Sequence, residues 1–108
     1  MQTVFQAPNV LKAELVVKLR ESDKVRGISL DVCEGKVYLT NWNPKRPTVS
    51  RVWFSGYGLE DVVTTDIRMP NAVATDPNAR KFYWADARLD KVMNIIVEYG
   101  RLSFCTPK

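Results

Sequence analysis

Histidine is absent from this chain of 108 residues, and cysteine occurs only twice, as Cys33 and Cys105, with no CxxC spacing. Without histidine, nucleophilic catalysis by a Cys–His or Ser–His pair is excluded. Two thiols alone do not make a zinc site of the usual composition. Long hydrophobic runs are lacking too, since no stretch approaches the ~20 apolar residues of a membrane span. The opening Met1-Gln-Thr-Val-Phe-Gln-Ala-Pro8 has neither the basic start nor the apolar segment of a signal peptide. Taken literally, the chain stays in the cytosol, whereas a Cys33–Cys105 bridge would need a secretory compartment. Bridge and free thiols both remain open. Charge of one sign is not concentrated either. The net charge of +4 comes from mixed runs, with Pro44-Lys-Arg-Pro47 as the one local basic cluster. Nucleic-acid binders gather lysine and arginine on one face, so neither nucleic acid nor a membrane surface is expected as a partner.

What is present is a repeat. Val25-Arg-Gly-Ile-Ser-Leu-Asp31 runs into Lys36-Val-Tyr-Leu-Thr-Asn41, and 45 positions later Pro70-Asn-Ala-Val-Ala-Thr-Asp76 runs into Lys81-Phe-Tyr-Trp-Ala-Asp86. A basic residue followed by valine recurs as Arg51-Val52 and Lys91-Val92. A unit of roughly 40–50 residues points to propeller blades, none of which buries its own faces alone. The composition, 45% hydrophobic and 26% charged, is that of an ordinary globular domain.

Short apolar runs predict strands over residues 13–19, 27–32, 36–40, 49–54, 60–65, 72–76, 81–85, 91–97 and 102–105, separated by turn residues. Several are apolar on both sides. Val37 and Leu39 oppose Tyr38, Phe82 and Trp84 oppose Tyr83, and such strands need cover on both faces. Residues 89–97 also fit a helical rhythm through Leu89, Val92, Met93, Ile96 and Val97. Their counterpart at 49–54 is β-branched and aromatic, which favours strand. Residues 10–20 share the ambiguity and have no counterpart. The expected fold is all-β: a partial propeller of about two to two and a half four-stranded antiparallel blades. It divides into an N-terminal extension (1–12), the end strand of a preceding blade (13–24), a first repeat (25–66) and a second repeat with a divergent end (67–108).

Lys81-Phe-Tyr-Trp-Ala-Asp86 resembles the Tyr-Trp-Thr-Asp repeat of the low-density-lipoprotein receptor family, as does Lys36-Val-Tyr-Leu-Thr-Asn41 more loosely. Asp23-Lys-Val-Arg-Gly27, Asn41-Trp-Asn43, Thr65-Asp-Ile-Arg-Met-Pro-Asn71 and Ala85-Asp-Ala-Arg-Leu-Asp-Lys91 are similar to a propeller region of the large receptor-related proteins, over about residues 14–92. The resemblance implies a six-bladed propeller in the ectodomain of a single-pass endocytic receptor. Such propellers hold protein ligands or neighbouring receptor modules, without catalysis and without a cofactor of their own. Calcium binding and membrane anchoring would belong to the parent receptor. The sequence departs from the family at Leu39, Asn41 and Ala85 and after Lys91, so the chain is expected to be a fragment that self-associates when isolated. The rival is a calcium-dependent lactonase-like or strictosidine-synthase-like propeller hydrolase, which also contains runs resembling Pro70-Asn71-Ala-Val-Ala and Tyr83-Trp84-Ala85-Asp86.

The expected structural motif residues are Tyr38, Leu39, Thr40 and Asn41, with Tyr83, Trp84, Ala85 and Asp86. The aromatics should stack one blade on the next, and Asp86 should accept backbone N–H bonds. Asp31 and Asp76 should fix the turns or, alternatively, bind metal near the axis. The candidate ligand-facing residues are Trp42, Lys45 and Arg46, in the loop after the second strand, and Arg88 in the equivalent turn. Aromatic and cationic side chains are enriched where proteins recognise proteins.

Overall fold

The computed structural model describes residues 11–97. Seven strands form in chain order: β1 (Val25–Asp31), β2 (Lys36–Asn41), β3 (Thr48–Trp53), β4 (Glu60–Val63), β5 (Pro70–Asp76), β6 (Lys81–Asp86) and β7 (Lys91–Ile96). None of the described residues is helical. β1–β4 make one antiparallel meander and β5–β7 a second. The two repeat each other down to irregularities, with a bulge between Val25 and Gly27 matched by one between Pro70 and Ala72. Pro70 can open β5 because the first residue of a strand need not donate. The tight turns after β1 and β5 both need a residue with positive φ, supplied by Gly35 in one and by Arg80 in the other.

Pairing sets the faces. Tyr38 lies opposite Ser29 on β1 and Arg51 on β3, while Tyr83 lies opposite Ala74 and Asn94. Arg51 is therefore the counterpart of Asn94. The Arg51-Val52 and Lys91-Val92 pairs of the sequence are not equivalent, because Lys91 pairs with Asp86 as Thr48 pairs with Asn41. The offset drops from 45 to 43 residues there because the loop after β2 is two residues longer than the one after β6. β7 follows strand periodicity, alternating between half-buried and exposed residues. The helical rhythm of 89–97 yields to pairing with β6, which places Ile95 on the inner face.

The main core lies between the sheets. Tyr38 and Val49 of the first meet Val73, Phe82 and Trp84 of the second, with Val63, Ile67 and Val97 sealing the cluster. The Tyr38 and Phe82 ring centroids are 4.8 Å apart, and Phe82 and Trp84 follow at 6.3 Å. Full burial of one such ring stabilises by roughly 1.5–3 kcal/mol, so this stack helps to tie the two sheets together. Tyr83 points away from it and is only half-buried; the aromatics that join the blades are Tyr38, Phe82 and Trp84.

The strand expected over residues 13–19 is not formed. Residues 11–20 run as an extended strap, placing Val17 and Leu19 against Val37, Leu39 and Val52 on the far face of the first sheet. A segment crossing a sheet face finds apolar cover but no edge with which to build a ladder. The Val16 carbonyl sits where a Cβ at Gly56 would otherwise stand. The strand expected over 102–105, the N-terminal extension before residue 11 and the divergent end after Val97 lie outside the described residues.

Candidate functional site

The ends of β2 and β6 organise one rim of the molecule. Asp86 is buried, and its carboxylate accepts hydrogen bonds from four backbone N–H groups: Arg68 (2.8 Å), Met69 (3.1 Å), Arg88 (3.0 Å) and Leu89 (3.0 Å). Burial alone would raise its pKa; these N–H groups outweigh that and hold the carboxyl below its ordinary value. At the equivalent position Asn41 accepts two, from Lys24 (3.0 Å) and Asn43 (3.1 Å). Pro44 stands where Leu89 donates, and proline has no N–H.

The carboxylate of this first corner is instead Asp23, whose side chain has no exposed surface. Arg20 donates to it from its backbone (3.2 Å) and from Nε (3.1 Å), Asn43 Nδ2 donates at 3.0 Å, and an Arg46 guanidinium nitrogen lies 3.7 Å away. Burial pushes the Asp23 carboxyl up, but the Asn43, Asn41 and Arg20 donors prevail and hold it at about 2. The Asn41 NH2 contributes to that field yet falls short of hydrogen-bond geometry, leaving a buried donor without a partner. Arg20 also grips Asp61 with two nitrogens, at 3.0 and 3.1 Å, and so pins the strap to β4.

Between the two corners opens a cleft of about 310 Å³ lined by Trp42, Pro44, Arg68, Met69 and Arg88. Trp42 is half-buried and fixed through its backbone N–H to the Lys24 carbonyl (2.8 Å). The Arg26 guanidinium rests 4.2 Å above its ring, a cation–π contact. The indole Nε1 is buried and has no hydrogen-bond partner, a cost set against the packing of the ring. Arg68 and Arg88 are exposed, while the neighbouring Asp86 carboxylate is spent on backbone N–H groups. The cleft therefore sets the Arg68 and Arg88 guanidiniums beside the Trp42, Pro44 and Met69 side chains, which suits a ligand carrying carboxylate oxygens next to an apolar group.

Of the four ligand-facing candidates, the cleft brings together Trp42 and Arg88. Arg46 turns toward Asp23, and Lys45 is exposed outside the lining. Arg26, Arg68 and Met69 escaped the sequence reading. The available signal was position: Arg68 and Met69 precede Pro70 and donate to Asp86. Asp31 is buried, and its Oδ1 accepts from Cys33 and Glu34 at 3.0 Å each; Asp76 is exposed and accepts from Ala79 at 3.4 Å. Thr40 Oγ1 accepts from Gly27 at 2.8 Å, Leu39 joins the strap-covered cluster, and Ala85 is half-buried beside Tyr83. Among the described residues no three Cys, Asp or Glu side chains gather as a metal site. Cys33 is disulfide-bonded, and Cys105, the other cysteine of the chain, lies outside the described residues. No described helix is long and apolar enough to cross a membrane.

No protein-family model matches the chain. Among curated proteins it is similar to protein cueball of Drosophila simulans, 33% identical over 86 residues that make up 77% of this chain and 13% of the relative. Protein cueball of Drosophila yakuba is 35% identical over 66 residues, 61% of this chain and 10% of that protein. The chain thus spans about an eighth or less of these relatives, and the resemblance to low-density-lipoprotein receptors is not what these matches name. Among solved structures it is similar to a chain of the nidogen/laminin complex, with a TM-score of 0.63 and 23% identity over 68% of this chain and 27% of that one. That likeness bears on the fold: two antiparallel meanders stacked face to face, as in part of a β-propeller.

Proposed function

We propose that this chain is a non-enzymatic, protein-binding propeller segment of an extracellular receptor related to the low-density-lipoprotein receptor-related proteins. The cleft of Trp42, Arg68 and Arg88 forms part of its ligand-facing rim. The observation that carries the reading is the meeting of Trp42 with the Arg68 and Arg88 guanidiniums in one cleft. Aromatic and arginine side chains of this kind dominate protein recognition energetically. An extracellular setting is supported by the disulfide at Cys33, since such bonds persist in oxidising compartments. The nidogen/laminin complex is by its name an assembly of two proteins, in keeping with a propeller that serves as a docking surface.

Selection of displayed peptides on the full chain tests this. Selected peptides should carry carboxylates, lose at least about tenfold in affinity for Trp42→Ala (~1.4 kcal/mol), and lose binding to Arg88→Glu. Because the chain has no histidine, their affinity should stay flat between about pH 7.5 and 5.5. Peptides that bind wild type and both variants alike would contradict the proposal.

A further inference from the structure

The two corners share a backbone plan but differ in the side chains it carries. In β1 the bulge makes Arg26 the extra residue, since Val25 pairs with Asn41 and Gly27 with Thr40. In β5 Asn71 holds the same place, between Pro70 paired with Asp86 and Ala72 paired with Ala85. The residue after each strand end is then tied back by one bond. The Trp42 N–H donates to the Lys24 carbonyl at 2.8 Å, and the Ala87 N–H donates to the Met69 carbonyl at 3.0 Å. Asn71 and Ala87 thus stand in the second blade where Arg26 and Trp42 stand in the first.

A bulge re-aims the side chain of its extra residue. In the first blade it lays the Arg26 guanidinium 4.2 Å above the Trp42 ring. The second blade builds the same bulge and the same backbone bond with an amide side chain and a methyl group. The fold of the corner therefore does not require the stack. What the stack does reach is the cleft: Trp42 lines it with Pro44, Arg68, Met69 and Arg88, whereas Arg26 does not. The guanidinium holds the ring from outside the space a ligand would enter.

We propose that Arg26 is a positioning residue for the cleft, acting through Trp42; this rests on the cleft being the ligand-facing rim. A site that holds its side chains before the ligand arrives loses less entropy on binding. The cation supplies that hold, because the face of an indole attracts a guanidinium. Arg68 and Arg88 take the carboxylate of an acidic peptide, and the apolar neighbour of that carboxylate lies on the ring that Arg26 backs. Arginine stays charged at every pH of interest, so the hold does not weaken in acid.

Carboxylate-bearing peptides selected by display on the full chain serve as the probe. Their affinity is compared for wild type, Arg26→Gln, Arg26→Lys, Trp42→Ala and the variant combining Arg26→Gln with Trp42→Ala. Thermal melts check that each folds, and Arg26→Met replaces Arg26→Gln if that one does not. Arg26→Gln should weaken binding about three- to fivefold, and Arg26→Lys should recover part of the loss. Once Trp42 is gone, Arg26→Gln should cost nothing further. Without peptide, the neutral quencher acrylamide should quench Trp42 fluorescence more strongly in Arg26→Gln than in wild type, with Trp42→Phe counterparts giving the share of Trp53 and Trp84. Losses that add in the combined variant overturn the proposal, since Arg26 would then act on the peptide itself. So does unchanged affinity, or unchanged quenching, in Arg26→Gln. Peptides that bind independently of Trp42 overturn the reading of the cleft as well, whereas Trp42-dependent peptides indifferent to Arg26 overturn the role of Arg26 alone.

Discussion

At the end of β2 Asn41 accepts two backbone N–H groups, whereas at the end of β6 Asp86 accepts four. The backbone plan is the same at both corners; the supply of donors differs. Pro44 removes one N–H, and the Asp23 N–H is taken by the Arg20 carbonyl at 3.1 Å. A carboxylate at position 41 would therefore be buried with half its complement of donors. The charge has moved to Asp23 in the preceding loop, where Arg20 and Asn43 supply the donors. A repeat position is thus set by the local count of unpaired N–H groups as well as by the repeat itself. The tyrosines make the same point in apolar terms, since Tyr38 is fully buried between sheets and Tyr83 faces an open side.

The largest expected effect separates those tyrosines. Tyr38→Ala should cost about 4 kcal/mol in urea unfolding because it empties the core between the sheets, and Tyr83→Ala should cost less than about 1 kcal/mol in the monomer. Equal losses would show that the two sheets are enclosed alike. Next comes the pair of corners. Asp86→Ala strands four N–H groups and should destabilise by about 3 kcal/mol, against about 1 kcal/mol for Asn41→Ala, as read from thermal melts.

The smallest effect is on pH dependence. Asp23 is held at about 2 against an ordinary 3.8. Because the folded value is depressed, its contribution is fully present above the unfolded pKa and is lost as pH falls through the folded one. The contribution is roughly 2 kcal/mol, lost between about pH 4 and 2. Acid titration of Asp23→Asn should lack that segment of the curve, while the Asp86 portion remains.

Much of the fold was legible because strand signals repeat. Turn residues bracket each run, and the register of Tyr38 and Tyr83 follows from the shared Lys-apolar-Tyr order. β7 was readable against its own helical rhythm only through comparison with β3. The strap was not readable, because an apolar segment that covers a face and one that joins an edge have the same composition. Of the rim, Trp42 and Arg88 were visible as a loop aromatic and a turn cation. Arg26 was not, because its position over the indole depends on the bulge between Val25 and Gly27. Arg46 carries the same charge as Arg88 but is drawn aside by Asp23, a carboxylate whose burial the sequence does not display.

The most direct test of the two-blade account is a double-mutant cycle on Tyr38 and Phe82, with Tyr38→Leu, Phe82→Leu and the double variant unfolded in urea. Stacked sheets predict a coupling of about 0.5–1.5 kcal/mol between rings 44 residues apart in sequence and 4.8 Å apart in space. Additive losses, with no coupling, would contradict the packing of one blade on the other.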